Sequence, residues 1–215
     1  VTALTVPRPM RLAVFASGGG SNLGAIQDAI DADRLDAVEA VVVTDRRGIG
    51  AIERAEARGV PVETIAPASY ADEGAFAAAL LDVLARYEVD VIALAGYLKK
   101  IPSPVVQAYA HRILNVHPSL LPAFGGAGMY GERVHRAVLA YGAQFSGATV
   151  HLVDDEFDSG PVVLQQTVPV YEEDSPASLA ARVLEVEHEI YPLALSLLAE
   201  GRLSLDGRLV RISSQ

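Results

Sequence analysis

The first ninety-five residues alternate between two periods, and this constrains the fold more than any other feature. Arg11–Ala16 (RLAVFA), Val38–Thr44 (VEAVVVT), Pro61–Ile65 and Val89–Ala95 (VDVIALA) are short apolar runs, the pattern of strands buried on both faces. Between them, Leu23–Ala32, Ile52–Arg58 and the series Phe76, Leu80, Leu84, Tyr87 have helical spacing, and Gly59 closes the second. Buried strands joined through helices predict right-handed crossovers and a mostly parallel sheet flanked by helices, a Rossmann-like α/β fold.

The second half is less regular. Ser103-Pro104 and Ser175-Pro176 read as helix starts, and Glu132–Ala140 as a helix. Ile113–Val116 is a strand running into the turn Pro118–Pro122, and Phe124–Gly131 (FGGAGMYG) is a glycine-rich mobile loop. Ala148–Val153 and Val162–Val170 are strands with only a short loop between them, which predicts antiparallel pairing in this half. Leu179, Val183, Val186, Ile190 and Leu197 form one stripe of a long helix, and Asp206-Gly207 sits in a hairpin. With no repeat and no linker, residues 1–215 are expected to form a single domain. Its N-terminal lobe would cover about 10–107 and its C-terminal lobe about 108–215.

Composition narrows the function. The chain is 51% hydrophobic, enough for a sizeable core, and its net charge of -10 argues against a general nucleic-acid binder. It has no cysteine, which excludes disulfides, thiolate nucleophiles and cysteine zinc sites. No apolar run reaches the ~20 residues of a membrane span. VTALTVPRPM at the start has no apolar signal core, so the expectation is a cytoplasmic protein.

Ser17-Gly18-Gly19-Gly20-Ser21-Asn22 lies between a strand and a helix. Such a loop brings backbone N–H groups and a helix N-terminus to an anion. It lacks the lysine of a Walker loop, and Gly18, Gly20 and Gly24 miss the dinucleotide spacing by one residue. It reads as a phosphate cradle, or as a tight turn capped by Ser21 or Asn22. Asp45, at the end of the second strand, lies where a ribose-binding acid would.

Asn115 and His117 fall on one face of a strand end, where an amide and an imidazole donate to one oxyanion. The alternative is a capped strand end with a partly buried histidine. His151 lies in an apolar strand ahead of the acidic turn Asp154–Gly160. As a calcium loop that turn has Ser159 where glycine belongs and Gln165 where glutamate belongs. Zinc on His117, His151 and Asp158 has no supporting helix motif, so no metal is expected. A carboxylate beside a histidine remains. His111, His135 and His188 read as structural.

Five segments carry a family resemblance: VFASGGGSNLGAI, IALAGYLKKI, ILNVHPSLLPAFGGAGMYG, SGATVHLVDDEFDSGPVVLQQTVPV and EHEIYPLAL. Together they resemble the phosphoribosylglycinamide formyltransferases of the folate-dependent formyltransferase superfamily. The resemblance implies transfer of a formyl group from the cosubstrate 10-formyltetrahydrofolate to glycinamide ribonucleotide, in purine biosynthesis. It implies catalysis by Asn115, His117 and Asp158, with Asp158 holding His117 charged. It places the phosphate on Gly20, Ser21 and Asn22 and the ribose near Glu187. It sets the folate against Tyr97, Leu98, Lys99 and Ile101, with Asp154 and Asp155 opposite, and suggests a cis Leu121–Pro122 bond. The chain departs from the pattern in Ala66–Ala75, which has no arginine for the phosphate, in Lys99 for a common arginine, and in Leu184 for a polar residue. Lacking the added domains of methionyl-tRNA formyltransferase and formyltetrahydrofolate hydrolase, the chain fits a small-molecule transformylase, monomeric or homodimeric. A nucleotide-binding module without chemistry would explain Ser17–Asn22 and Asp45, but not Asn115, His117 and Asp158 together. A hydrolase that delivers the formyl group to water is the nearer rival.

Overall fold

The computed structural model describes residues 1–214. In chain order it contains β1 (Thr2–Leu4), β2 (Met10–Ala16), α1 (Ser21–Asp31), β3 (Ala37–Thr44), α2 (Gly50–Ala57) and β4 (Val62–Thr64). A 3₁₀ turn (Pro67–Ser69), α3 (Glu73–Arg86), β5 (Val91–Leu94), α4 (Ser103–Ala108) and β6 (Ile113–His117) follow. The chain continues through α5 (Glu132–Tyr141), β7 (Phe145–Leu152), β8 (Val162–Pro169) and α6 (Pro176–Ala199), and ends with β9 (Leu203–Asp206) and β10 (Leu209–Ile212).

Seven strands form one sheet in the order β4-β3-β2-β5-β6-β7-β8, parallel as far as β6 and antiparallel across β7 and β8. The expected Rossmann-like α/β fold, with antiparallel strands in the second half, is the one observed. Strand period two divides β2 between two cores. Leu12, Val14 and Ala16 join the core under α1 and α6, while Ala13 and Phe15 join the one under α3. Every side chain of β2 except Arg11 is buried, hence the continuous apolar run.

Strand order reverses beside β2: β3 and β4 build outward on one side, and β5 and β6 on the other. A crevice opens at such a switch point, beyond the carboxyl ends of the strands. The loops after β2 and β5 lie side by side there, joined where Ser17 N donates to Gly96 O at 3.1 Å, and β6 delivers Asn115 and His117 beside them.

The N-terminal residues are a correction. The first strand is Thr2–Leu4, not the run at Arg11, and it pairs antiparallel with β9 in a separate sheet of order β1-β9-β10. Local pattern does not reveal it, because its partner lies some two hundred residues away, Leu4 opposite Leu203. The hairpin around Gly207 (φ 61) forms as expected. Leu121–Pro122 is cis, as expected, and so is Arg8–Pro9. No helix among the described residues is long and apolar enough to cross a membrane.

Candidate active site

The crevice holds a cleft of about 740 Å³ lined from both halves of the chain. Its floor is the end of β6. Register sets Asn115 opposite His151 on the antiparallel β7, so the two side chains meet across the pair. Asn115 Nδ2 lies 3.1 Å from His151 Nε2. His151 Nδ1 donates to the Leu152 carbonyl at 2.9 Å.

The loop after β7 carries Asp158 over these side chains. One carboxylate oxygen lies 3.4 Å from His117 Nδ1 and accepts from Gly126 N–H at 2.9 Å. The other lies 3.4 Å from Asn115 Nδ2 and 3.7 Å from His151 Nε2. His117 Nε2 donates to the Phe124 carbonyl at 2.9 Å. Asn115 and His117 converge here with Asp158, which lies 43 residues beyond Asn115 in the chain.

Burial works to raise the Asp158 pKa, but the adjacent His151 and His117 rings and the Gly126 N–H hold it below the usual carboxylate range. His117 behaves differently. Burial pushes its pKa down, and His151 adds to this, against the opposing pull of Asp158 and the Phe124 carbonyl. In the protein without substrate, burial thus opposes the charge that Asp158 favours on His117. The imidazole is almost wholly buried, and desolvation of the cation outweighs a carboxylate at 3.4 Å.

A small hydrogen-bond network fixes the turn that follows His117. Thr149 Oγ1 donates to Ser119 O at 2.6 Å and accepts from Leu121 N at 3.0 Å and Gln165 Nε2 at 2.9 Å, all without access to water at Thr149. Thr149→Val keeps the shape but leaves buried backbone groups unpaired. It should lower stability by about 2–3 kcal/mol, read as a lower urea midpoint at an unchanged m value.

The glycine loop enters the cleft from the other side. Gly20 (φ 74) is the left-handed N-cap of α1, and no side chain caps the helix, which settles the alternative of a Ser21 or Asn22 cap against it. Ser21 and Asn22 line the cleft. Asn22 instead donates to the Glu187 carboxylate at 2.7 Å, joining α1 to α6. Burial pushes Glu187 up to about 7, and the Asn22 bond only partly opposes this. Its folded pKa exceeds its unfolded one, so its contribution to stability is fully present below about 4.5 and is lost as pH rises through about 7. Glu187→Gln removes that loss while its amide oxygen can still accept from Asn22 Nδ2. The variant should match wild type near pH 4 and exceed it at pH 8 by up to about 3 kcal/mol, measured by thermal melts across that range.

Tyr97, Leu98, Lys99 and Ile101 also line the cleft, as do Asp154 and Asp155, and Leu98 N donates to Ser17 Oγ of the glycine loop at 3.0 Å. Tyr97 packs its ring edge on Phe15, centroids 5.2 Å apart, and Lys99 lies 3.6 Å from the buried Asp45. Asp45 also pairs with Arg46 at 2.8 Å, so this acid is committed to neighbouring cations. Asp154 accepts from Ser159 Oγ and Glu156 N–H and thereby shapes its own loop. Sequence reasoning missed His151 as a member of the site, although a lone histidine in an apolar strand ahead of an acidic turn was the available signal. His135, read as structural, also lines the cleft, buried with Nδ1 unpartnered.

The formyl transferase family matches residues 10–195, which include the whole seven-stranded sheet and the cleft, and the chain belongs to that family. Relatives it resembles include phosphoribosylglycinamide formyltransferases. The chain is 44% identical to the chloroplastic phosphoribosylglycinamide formyltransferase of Vigna unguiculata, over 94% of this chain and 65% of that one. It thus spans just under two thirds of that relative. It is 41% identical to the Bacillus subtilis phosphoribosylglycinamide formyltransferase, over 85% of this chain and 91% of that one. The crystal structure of glycinamide ribonucleotide transformylase 1 from Symbiobacterium toebii superposes with a TM-score of 0.90 at 44% identity, covering 95% of this chain and 94% of that one.

Proposed function

We propose that this protein transfers the formyl group of 10-formyltetrahydrofolate to the primary amine of glycinamide ribonucleotide, yielding formylglycinamide ribonucleotide and tetrahydrofolate. The observation that carries the reading is the meeting of Asn115, His117 and Asp158 within 3.4 Å steps at the strand ends, beside a glycine loop that opens a helix.

The amine attacks the formyl carbon, and the carbonyl oxygen becomes an oxyanion. Asn115 Nδ2 and the Nε2–H of His117, which turns from the Phe124 carbonyl, donate to it. Burial favours the neutral form of His117 before the reaction, and the new negative charge raises its affinity for a second proton on Nδ1, which already faces Asp158. Breaking the bond from the formyl carbon to the folate nitrogen completes the transfer. The amine's proton leaves and the folate nitrogen gains one, with Asp158 and His117 as the near groups able to pass it. No step calls for a metal.

In this reading Gly20, Ser21 and Asn22 hold the phosphate, and Glu187 holds the ribose. Tyr97, Leu98, Lys99, Ile101, Asp154 and Asp155 border the folate. The lobes then share the work, since Glu187 comes from the second lobe and the segment Tyr97–Ile101 from the first. A single domain acting on small molecules in the cytoplasm is part of the same proposal. The test is formyl-folate consumption with and without glycinamide ribonucleotide. Consumption that depends on the ribonucleotide supports the reading, and equal consumption without any amine makes the protein a hydrolase.

A further inference from the structure

The carbonyls of the glycine loop are held from behind by α2. Gly18 O accepts from Ala51 N at 3.2 Å, and one helical turn later Arg54 Nε donates to Gly19 O at 3.3 Å. In a trans peptide the C=O and N–H point in opposite directions. Fastening these two carbonyls to α2 therefore turns the amide hydrogens of Gly19 and Gly20 away from α2.

The glycines also make room for Arg54. A Cβ on Gly20 would stand 3.2 Å from Arg54 Cδ, and one on Gly24 would stand 2.9 Å from Nη1. The side chain thus lies along the first turn of α1. Arg58, one turn further on, pairs with Asp31, whereas Arg54 is exposed and has no carboxylate partner among the described residues. Arg54 also lies close enough to His188, next to Glu187, for its charge to add to burial in lowering that imidazole's pKa. Meanwhile Ala66–Ala75 contains no basic residue at all.

We infer that Arg54 is the positioning residue of the phosphate cradle: it fixes the Gly19–Gly20 peptide with its N–H toward the phosphate and supplies positive charge from behind the loop. The inference rests on the phosphate assignment proposed above. Neutralising a dianion through oriented N–H groups and a nearby guanidinium needs no basic side chain on the substrate's own side.

The test uses calorimetric titration of ribose 5-phosphate into wild type, Arg54→Met and Arg54→Lys, alongside titration of a formyl-folate analogue and the turnover assay. Arg54→Met should weaken ribose 5-phosphate about ten-fold or more. Arg54→Lys should recover part of that loss, and folate affinity should stay within about two-fold. In turnover the loss should appear in the ribonucleotide KM while kcat holds. If Arg54→Met does not fold, Arg54→Lys alone must still show a several-fold loss of phosphate affinity with folate unchanged. Wild-type affinity for ribose 5-phosphate in the variants, or equal loss of both ligands, overturns the role and leaves Arg54 a brace between helices. Wild type that turns over the ribonucleotide yet ignores ribose 5-phosphate overturns the role too, while the proposed reaction stands. Absence of turnover in wild type counts against the reaction alone.

Discussion

Asp158→Asn is expected to lower kcat by on the order of 10²–10³-fold while leaving both KM values close to wild type. The variant should fold, because Asp158 adopts φ 53 and asparagine is among the residues that best tolerate that region. The oxygen of the introduced amide still accepts from Gly126 N–H, so the loop keeps its anchor. What disappears is the negative charge 3.4 Å from His117 Nδ1. That charge matters little to bound substrate and much as His117 takes its second proton, so the loss falls on the transition state. Removing it also removes one of the two influences that raise the His117 pKa, and burial then acts with less opposition. Any limb of the kcat profile that reports His117 should therefore move to lower pH. Steady-state kinetics across pH reads both effects. A raised KM with kcat unchanged would make Asp158 a binding residue only.

Gly20→Val should raise the ribonucleotide KM by on the order of 10²-fold, with formyl-folate affinity nearly unchanged. Two independent obstacles act at this position. Gly20 has φ 74, a genuine outlier for a β-branched residue. A Cβ there would also lie 2.9 Å from Ala51 Cα and 3.1 Å from Ala51 Cβ, backbone and side chain of a packed helix that cannot easily yield. The loop must shift, taking the first N–H groups of α1 with it. The Tyr97–Ile101 segment follows a different strand and is tied to the loop at Ser17, whose Oγ accepts from Leu98 N at 3.0 Å, rather than at Gly20. Separate titrations of the two ligands read the split. Loss of folate binding with ribonucleotide binding retained would mean the two halves of the cleft are assigned in reverse.

Most of the fold was legible because periodicity is a local property. Residues Arg11–Ala16 read as a strand buried on both sides, and β2 is buried on both sides; the stripe from Leu179 to Leu197 read as a helix, and it is α6. The glycine loop was legible for the same reason, since a strand, three glycines and a helix follow one another without interruption. What a local reading left open at Ser21 and Asn22 was whether they cap α1. Asn22 does not, because a buried carboxylate on α6, 165 residues away, takes its amide instead.

The chain by itself determined the alternation of strands and helices, the glycine loop and the antiparallel second half, and it offered Asn115, His117 and Asp158 as site residues without His151. Only the tertiary structure decided how they act on one another. It set His151 opposite Asn115 through strand register, joined β1 to β9, placed Arg54 behind the glycine loop, lowered the His117 pKa and raised that of Glu187 to about 7. The physical reason is that register and burial belong to the packed state. A side chain's ionisation depends on the water it has lost and the charges it has gained, and a linear sequence states neither.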